Sequence, residues 1–261
     1  MTPRVLITGG SSGIGSAFAA RLARDGHDLL LLARRGDRLQ ALANDLATEH
    51  GVRVEFQVVD LSVEEGIAAA EQLVRDSSPL QMLINNAGFG TRGHFVDVAA
   101  HKLLAQTRLQ VLAPMRLAHA ALGPMIHRGQ GAVINVSSLS SFFPARHYAS
   151  YSATKAYLNA LTLALHEELA GSGVQVQAVC AGLTRTEFLD SAEFSDFNFN
   201  SAPSWTWMTP EQVVEQSLAA LGHGSPLFVP GLHNRALVRA MHTPGLRWLL
   251  AQAVQRAGIE Y

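Results

Sequence analysis

Short continuous runs of apolar residues alternate along the chain with runs of helical spacing. The run Asp28–Ala33 is typical of a strand buried on both faces. Leu39, Ala43 and Leu46 instead fall on one face of a helix. This alternation predicts an α/β fold with a doubly wound, parallel, seven-stranded sheet and helices on both faces. The predicted strands are 4–8, 28–33, 52–59, 81–84, 132–136, 174–179 and 226–230.

A glycine-rich turn joins the first predicted strand to the first helix, with the sequence Gly9-Gly10-Ser11-Ser12-Gly13-Ile14-Gly15. Glycines let backbone N–H groups approach a pyrophosphate at a helix N-terminus, where the helix dipole favours negative charge. The spacing is Gly-x-x-x-Gly-x-Gly, which differs from the common Gly-x-Gly-x-x-Gly fingerprint. An ordinary strand-to-helix turn is the alternative, but the glycines at this position favour a dinucleotide site.

The second predicted strand ends without the acidic residue that would bind the ribose 2′-hydroxyl of NAD. Ala33 stands about 20 residues past the glycine turn, where that carboxylate is expected, and Arg34 and Arg35 follow it. Guanidinium groups suit a 2′-phosphate, so the sequence predicts NADP(H) as cofactor rather than NAD(H). Solvated arginines are the alternative, which is more serious for Arg35 than for Arg34.

Polar or small residues also follow other predicted strands. They are Asp60-Leu61, Asn85-Asn86-Ala87-Gly88 and Ser137-Ser138. Ligands of open α/β sheets bind at the carboxyl ends of the strands, so the shared location supports each assignment. Ser62 is a candidate N-cap of the helix that follows Asp60.

Tyr151 and Lys155 are four residues apart in a predicted helix and therefore lie on one face of it. Free tyrosine has a pKa near ~10 and free lysine near ~10.4. A lysine cation beside a tyrosine favours the tyrosinate and lowers the tyrosine pKa, so the pair is a candidate proton-transfer centre. A packed tyrosine with a solvated lysine is the alternative, and the spacing alone does not decide between them.

Composition limits the classes of protein. The 261 residues are 48% hydrophobic and 16% charged, which fits one large domain, 1–261, or two small ones. A net charge of -1 gives no basic surface for nucleic acid. The single cysteine, Cys180, excludes an intramolecular disulfide and fits a reducing compartment. With no signal peptide and no apolar run of membrane-spanning length, we expect a soluble cytoplasmic protein without a metal site.

The segment 184–209 is loop-like, yet it carries many large apolar side chains. They are Phe188, Phe194, Phe197, Phe199, Trp205, Trp207 and Met208. Such a loop beside a ligand-binding edge is a candidate substrate lid, which would favour an apolar or aromatic small-molecule substrate. Packing of the loop onto the domain is an equally good alternative. Residues 232–261 are predicted to form a helical tail that packs on the domain or on a partner subunit.

Together these motifs resemble the short-chain dehydrogenase/reductase family, in its single-domain Rossmann type. The resemblance runs roughly from Val5 to Phe188. It rests on Thr8-Gly9-x-x-x-Gly13-Ile14-Gly15, Asp60, Asn85-Asn86-Ala87-Gly88, Ser138 and Tyr151-x-x-x-Lys155. By resemblance, the chain is an NADP(H)-dependent oxidoreductase that interconverts a carbonyl and a secondary alcohol.

The resemblance implies a role for each motif. Tyr151 would be the general acid/base, Lys155 would hold the nicotinamide ribose and lower the tyrosine pKa, and Ser138 would hydrogen-bond the substrate oxygen. The implied cofactor-binding residues are Gly9, Ser11, Ser12, Gly13, Ile14, Gly15, Arg34, Arg35, Asp60, Leu61, Asn86, Ala87, Gly88, Tyr151, Lys155, Thr184 and Thr186.

Two positions depart from the family's pattern. Gln110 stands where the family usually has an asparagine that helps order a proton-relay water, so the relay is kept, shifted or weakened. Ala181-Gly182 replaces Pro-Gly after the sixth strand. A cofactor-binding regulator or scaffold without turnover is therefore an alternative, as is imine reduction, epimerisation or dehydration. The resemblance also implies a homodimer or homotetramer.

Overall fold

A computed structural model describes residues 4–77, 79–190, 202–223 and 225–243. Strands and helices alternate along most of this chain. The strands are β1 Arg4–Thr8, β2 Asp28–Ala33, β3 Val54–Val58, β4 Leu80–Asn85, β5 Gly131–Ser138, β6 Val174–Ala181 and β7 Leu227–Phe228. The helices are α1 Gly13–Arg24, α2 Gly36–His50, α3 Glu64–Asp76, α4 Ala100–Thr107, α5 Ala113–Arg128, α6 Ala149–Glu168, α7 Pro210–Ala220 and α8 Leu232–His242.

Within the described residues, the seven strands form one parallel sheet in the order β3-β2-β1-β4-β5-β6-β7. The strand order reverses between β1 and β4, which is the doubly wound arrangement of a Rossmann fold. The predicted fold class is therefore confirmed, and each predicted strand boundary lies within two residues of the observed one. The reversal opens a crevice at the carboxyl ends of β1 and β4, where such folds bind ligands.

Both faces of the sheet are covered, which explains the continuous apolar strands. Successive side chains of a strand point to opposite faces. Val5 and Ile7 of β1 therefore join one core, with α1, α2 and α7, while Leu6 joins the other, with α3 and α5. Each buried leucine or isoleucine contributes roughly 1.5–3 kcal/mol relative to an exposed one.

The helical region before β5 is not one continuous α-helix. The helix α4 begins at Ala100, one π-helical turn covers Arg108–Leu112, and α5 follows directly. Pro114 has no N–H for the carbonyl of Gln110 four residues earlier, so regular α-helical bonding is interrupted there. The π turn lies directly before this proline, and such turns are frequent at functional sites.

The region after β6 is described only in part. Thr184 forms an isolated bridge with Met208, and Thr209 begins α7 with a capping box closed by Gln212. The residues 191–201 of the predicted lid and 244–261 of the predicted tail lie outside the described residues. In the part that is described, none of the helices combines the length and apolarity that a membrane span requires.

Candidate active site

Gly9 and Gly15 of the glycine turn are packed too tightly to carry a side chain. Gly9 and Gly13 have positive φ values of 66° and 58°, which residues other than glycine rarely adopt. A Cβ atom on Gly15 would lie 2.3 Å from the carbonyl oxygen of Gly9, and one on Gly9 would lie 2.8 Å from the Cα of Ala87. The turn therefore brings bare backbone to the N-terminus of α1, where unpaired N–H groups favour a phosphate.

The end of β4 is bonded directly to this turn. The Thr8 hydroxyl accepts hydrogen bonds from the backbone N–H groups of Asn86 and Ala87, at 3.0 and 3.1 Å. The Asn86 amide donates to the carbonyls of Thr8 and Gly9, at 3.0 and 3.1 Å. Asn86 and Ala87 thus hold the two halves of the crevice together, in addition to lining it.

Arg35, and not Arg34, contacts the glycine turn. Its Nη2 donates to the hydroxyls of Ser12 and Ser11, at 2.6 and 3.2 Å. The exposed Arg34 acts on the other side of the strand end, where its charge helps to lower the pKa of Asp60. Which of the two arginines would bind a 2′-phosphate stays a prediction.

Asp60 is fixed by the residue predicted to be a helix cap. Its Oδ1 accepts from the backbone N–H and the hydroxyl of Ser62, at 2.9 and 2.6 Å. Burial alone would raise the pKa of Asp60. The two hydrogen bonds from Ser62 and the charge of Arg34 outweigh this effect, so the pKa lies below its ordinary value and the carboxylate stays charged. The predicted Ser62 cap is wrong, because its hydroxyl is used by Asp60 and Val63 stands at the N-cap of α3.

The other predicted cofactor residues line the same edge of the sheet. Leu61 is buried at the end of β3. Ile14, in the first turn of α1, packs on the core, and a Cβ atom on Gly88 would lie 3.2 Å from the side-chain amide of Gln110. Thr184 is buried, and the Thr186 methyl would lie 3.1 Å from a Cβ atom on Gly13.

Tyr151, Lys155 and Ser138 lie together at the ends of β5 and α6. Ser138 lies close enough to Tyr151 to lower the pKa of its phenol. Lys155 is buried, its Nζ donates to the carbonyl of Val136 at 2.8 Å, and this nitrogen lies 5.7 Å from the centroid of the Tyr151 ring. The lysine is therefore positioned by β5, and its ammonium group lies over the ring of the tyrosine.

Gln110 reaches the lysine directly. Its buried side chain projects from the π turn. With the amide oriented by its hydrogen-bond partners, Nε2 donates to the carbonyl of Phe89 at 2.9 Å, and Oε1 accepts from Nζ of Lys155 at 3.2 Å. The extra methylene of glutamine thus closes a distance that the shorter asparagine of the family's pattern would leave open.

Burial dominates the proton affinities of this pair. It raises the pKa of Tyr151 to about 12, and the nearby Ser138 offsets only part of that rise. Burial also lowers the pKa of Lys155 to about 8. The expected lowering of the tyrosine pKa by the lysine is therefore wrong for the chain alone, because the lysine cation is itself disfavoured and is held against the Val136 carbonyl.

The sequence reasoning missed a polar network behind Ser138. The Asn159 amide donates to the hydroxyl of Ser141 at 2.7 Å, and that hydroxyl donates to the carbonyl of Ser138 at 2.5 Å. Asn159 also accepts from the buried thiol of Cys180 at 3.5 Å. The signal that could have found Asn159 is its spacing, since it follows Lys155 by four residues on the same face of α6.

A second missed group lies near the glycine turn. Glu187 pairs with Arg35 and Arg38, and Phe188 packs on Tyr151 with a distance of 5.9 Å between ring centroids. No local pattern marks these contacts, because Glu187 lies about 150 residues from its two arginines and Phe188 lies 37 residues from Tyr151. Among the described residues, no group of three or more His, Cys, Asp or Glu side chains is arranged to hold a metal ion.

The residues of this edge fit a dinucleotide. A turn in which three glycines keep the backbone free of Cβ atoms meets a helix N-terminus, a guanidinium group lies over the turn, and an ionised carboxylate follows β3. Such donors suit a pyrophosphate and an adenosine, while Tyr151 and Lys155 stand at the other side of the crevice. The fold and site thus define a Rossmann-type dinucleotide-binding protein.

Comparison with known proteins identifies the family. A family model described as short chain dehydrogenase matches residues 3–195, so the chain belongs to the short-chain dehydrogenase family of oxidoreductases. A short-chain dehydrogenase from Sphingobium yanoikuyae, solved in complex with NADPH, superposes with a TM-score of 0.82 and 36% identity, over 98% of this chain and 94% of that chain.

Two further similar proteins differ in what their names state. The bulky-bulky ketone specific alcohol dehydrogenase from Comamonas testosteroni superposes with a TM-score of 0.78 and 32% identity, over 99% of this chain and 94% of that chain. The inactive hydroxysteroid dehydrogenase-like protein 1 from Homo sapiens is 26% identical over 246 residues, which are 94% of this chain and 73% of the relative.

Proposed function

We propose that the protein is an NADP(H)-dependent oxidoreductase that interconverts a carbonyl and a secondary alcohol, with Tyr151 as general acid/base. The observation that carries the proposal is the grouping of Ser138, Tyr151 and Lys155 on the sheet edge that also bears the glycine turn. Geometry of this kind places one acid and one further hydrogen-bond donor beside a substrate oxygen.

The residues divide the work in the direction of reduction. A bound NADPH supplies the hydride that adds to the carbonyl carbon. Ser138 donates a hydrogen bond to the carbonyl oxygen and stabilises the charge that develops there. Tyr151 is neutral at pH 7, so its O–H bond can break as the proton passes to that oxygen, which leaves an alcohol and a tyrosinate.

Lys155 then returns a proton toward Tyr151. Its pKa near 8 lies close to physiological pH, which suits a group that both gives and takes up a proton. Gln110 holds the ammonium through its side-chain oxygen and so takes part in positioning the lysine. The amide itself carries no transferable proton in this role.

A turnover screen tests the reaction. NADPH oxidation is followed with ketones, aldehydes and quinones, and each positive substrate is repeated with Tyr151→Phe. We expect Tyr151→Phe to abolish turnover while it leaves cofactor binding nearly intact, because only the acidic hydroxyl is removed. Tyr157→Phe, on the same helix, is the matched control and should remain active. Undiminished reduction by Tyr151→Phe would place the chemistry elsewhere.

Cofactor preference follows from the arginines at the end of β2. We expect NADPH to bind more tightly than NADH, and Arg35→Ala to reduce that preference more than Arg34→Ala does, because Arg35 lies over the glycine turn. Dissociation constants of both cofactors for the three proteins measure this. Equal affinities in the unmodified protein, or a preference for NADH, would contradict the assignment.

The substrate is proposed to be apolar and bulky. Phe188 packs on the Tyr151 ring, and the segment 184–209, proposed as a lid, also presents Trp207 beside Arg185. The name of the Comamonas testosteroni enzyme specifies bulky ketones, which supports the same class. Addition of small aldehydes as competing substrates in the turnover screen measures the preference for bulky, apolar carbonyl compounds.

A cofactor-binding protein without turnover is the second candidate. The name of the Homo sapiens relative includes the word inactive, which is the observation in its favour. Ser138, Tyr151 and Lys155 are all present in one arrangement here, which favours catalysis. Tight NADPH binding without turnover of any carbonyl would support the second candidate.

Self-association through α4 and α6 is also proposed. The apolar side chains Leu104 and Leu163 are 56% and 43% exposed, and Ala160 and Ala164 are exposed on the same helix as Leu163. Contiguous apolar surface of this kind commonly marks an interface. Light scattering should show a dimer or tetramer, and Leu163→Asp should shift it toward monomer.

A further inference from the structure

A short turn after β6 touches both ends of the crevice. This Glu187 turn, residues 186–190, is closed by bonds from the N–H groups of Leu189 and Asp190 to the carbonyls of Thr186 and Glu187. Its first residue packs against Gly13 of the glycine turn. The turn is therefore seated on the proposed cofactor site.

The Glu187 carboxylate uses both of its oxygens on arginines. Oε2 accepts from Nη1 of Arg35 at 2.8 Å, and Oε1 accepts from Nη1 of Arg38 at 2.5 Å. These bonds lower the pKa of Glu187, so it is ionised at neutral pH. The other Arg35 nitrogen remains on Ser11 and Ser12.

A carboxylate and a phosphate compete for the same guanidinium donors, because both present paired oxygens to the planar fork. We propose that Glu187 is a cofactor-specificity residue, which in the free protein occupies the donors of Arg35 and Arg38 that a ribose 2′-phosphate takes when NADP(H) binds. The inference rests on the proposed use of NADP(H). A ribose 2′-hydroxyl carries no charge with which to displace the carboxylate, so NAD(H) leaves Glu187 in place.

The exchange reaches the reacting end of the site through the next residue. Phe188 packs on Tyr151, so a Glu187 carboxylate tied to Arg35 also holds an aromatic ring beside the proposed acid. When a 2′-phosphate takes the arginines, the turn loses its two ion pairs, and the contact of Phe188 with Tyr151 loses their support. The phosphate thus displaces the Glu187 carboxylate and also changes the surroundings of the tyrosine.

Calorimetric titration with two cofactor fragments tests the proposal. Adenosine 2′,5′-bisphosphate carries the 2′-phosphate and ADP lacks it. We expect Glu187→Gln to bind adenosine 2′,5′-bisphosphate about two- to tenfold more tightly than the unmodified protein, since two exposed ion pairs no longer have to be broken. ADP binding should not change. Glu215→Gln is the control, because Glu215 also pairs with two arginines, Arg21 and Arg24.

Amide hydrogen exchange supplies a second readout at residues 186–190. We expect adenosine 2′,5′-bisphosphate to speed exchange there in the unmodified protein, and Glu187→Gln to exchange rapidly without ligand. If Glu187→Gln binds adenosine 2′,5′-bisphosphate more tightly but hydrogen exchange at residues 186–190 does not change, Glu187 acts only as a nearby negative charge and the proposal is overturned.

The binding outcomes also separate this proposal from the assignment of NADP(H). If the unmodified protein prefers adenosine 2′,5′-bisphosphate but Glu187→Gln binds it no better, Glu187 is not a specificity residue and the NADP(H) assignment stands. If only Glu187→Gln shows the preference, Glu187 blocks the site and the NADP(H) assignment fails. If neither protein prefers it, both are overturned.

Discussion

Replacement of Lys155 by methionine should change how stability depends on pH. The lysine is buried, and its pKa falls from 10.5 to about 8 on folding. Between these values the unfolded chain binds more protons than the folded one, so the stability of the unmodified protein rises with pH across that window. Methionine has a similar shape and no charge, so Lys155→Met lacks this contribution.

The magnitude follows from the two pKa values. One pKa unit corresponds to about 1.4 kcal/mol, so burial of the Lys155 cation costs roughly 3 kcal/mol below pH 8, and most of this is recovered by pH 10. Lys155→Met also leaves the carbonyl of Val136 without its donor, at a cost of about 1–3 kcal/mol that does not depend on pH. Only the change with pH is therefore diagnostic.

Urea unfolding of both proteins at pH 7 and pH 10, at one protein concentration, measures the effect. We expect the free energy of unfolding of the unmodified protein to gain about 2–3 kcal/mol relative to Lys155→Met between the two pH values. Burial raises the pKa of Tyr151 and Cys180 to about 12, and both residues are present in both proteins, so they cancel. A difference that stays constant, or moves the other way, would refute the buried cation.

Three further predictions concern single contacts. We expect Gln110→Leu to lower turnover, because it removes a hydrogen-bond acceptor from Lys155. Gln110→Asn should retain activity, with a water molecule bridging the longer gap to Lys155. A folded but inactive Gln110→Asn would show that glutamine has a more specific role. Gly15→Ala should lower the free energy of unfolding by about 1–3 kcal/mol and abolish cofactor binding in calorimetry, because the new Cβ would lie 2.3 Å from a carbonyl oxygen. Gly123→Ala is the control and should be tolerated, because nothing lies within 4 Å of its Cβ position. Thr209→Ala should cost about 1 kcal/mol in urea unfolding, because it removes the capping box of α7, and an unchanged midpoint would contradict this role.

The fold was predictable because its signals are local. A continuous apolar run such as Asp28–Ala33 can be buried only in the middle of a covered sheet, and the glycine turn follows directly from a strand. The same reasoning placed Tyr151 and Lys155 on one helix face. Each of these inferences needs only neighbours within a few residues.

The wrong or missing details depend on partners distant in sequence or on burial. Asp60 captures Ser62 in place of the expected cap, and the two arginines differ because only Arg35 turns toward Ser12. The raised pKa of Tyr151 reflects how deeply the folded chain covers it. Glu187 and Arg35 are 152 positions apart, so no periodic pattern in the sequence predicts that they pair.

The bond between Thr8 and Asn86 has a consequence for folding. These residues are 78 positions apart, and they follow or end parallel neighbouring strands that are separated along the chain by three helices and two strands. Contacts of such long sequence separation form slowly, because the chain loses loop-closure entropy before the contacts contribute any stabilising energy. The crevice is therefore completed late, and a nascent chain that ends before β4 has no cofactor site to assist its folding. A dinucleotide can stabilise only the finished sheet, so ligand added during refolding should slow unfolding without accelerating the early steps.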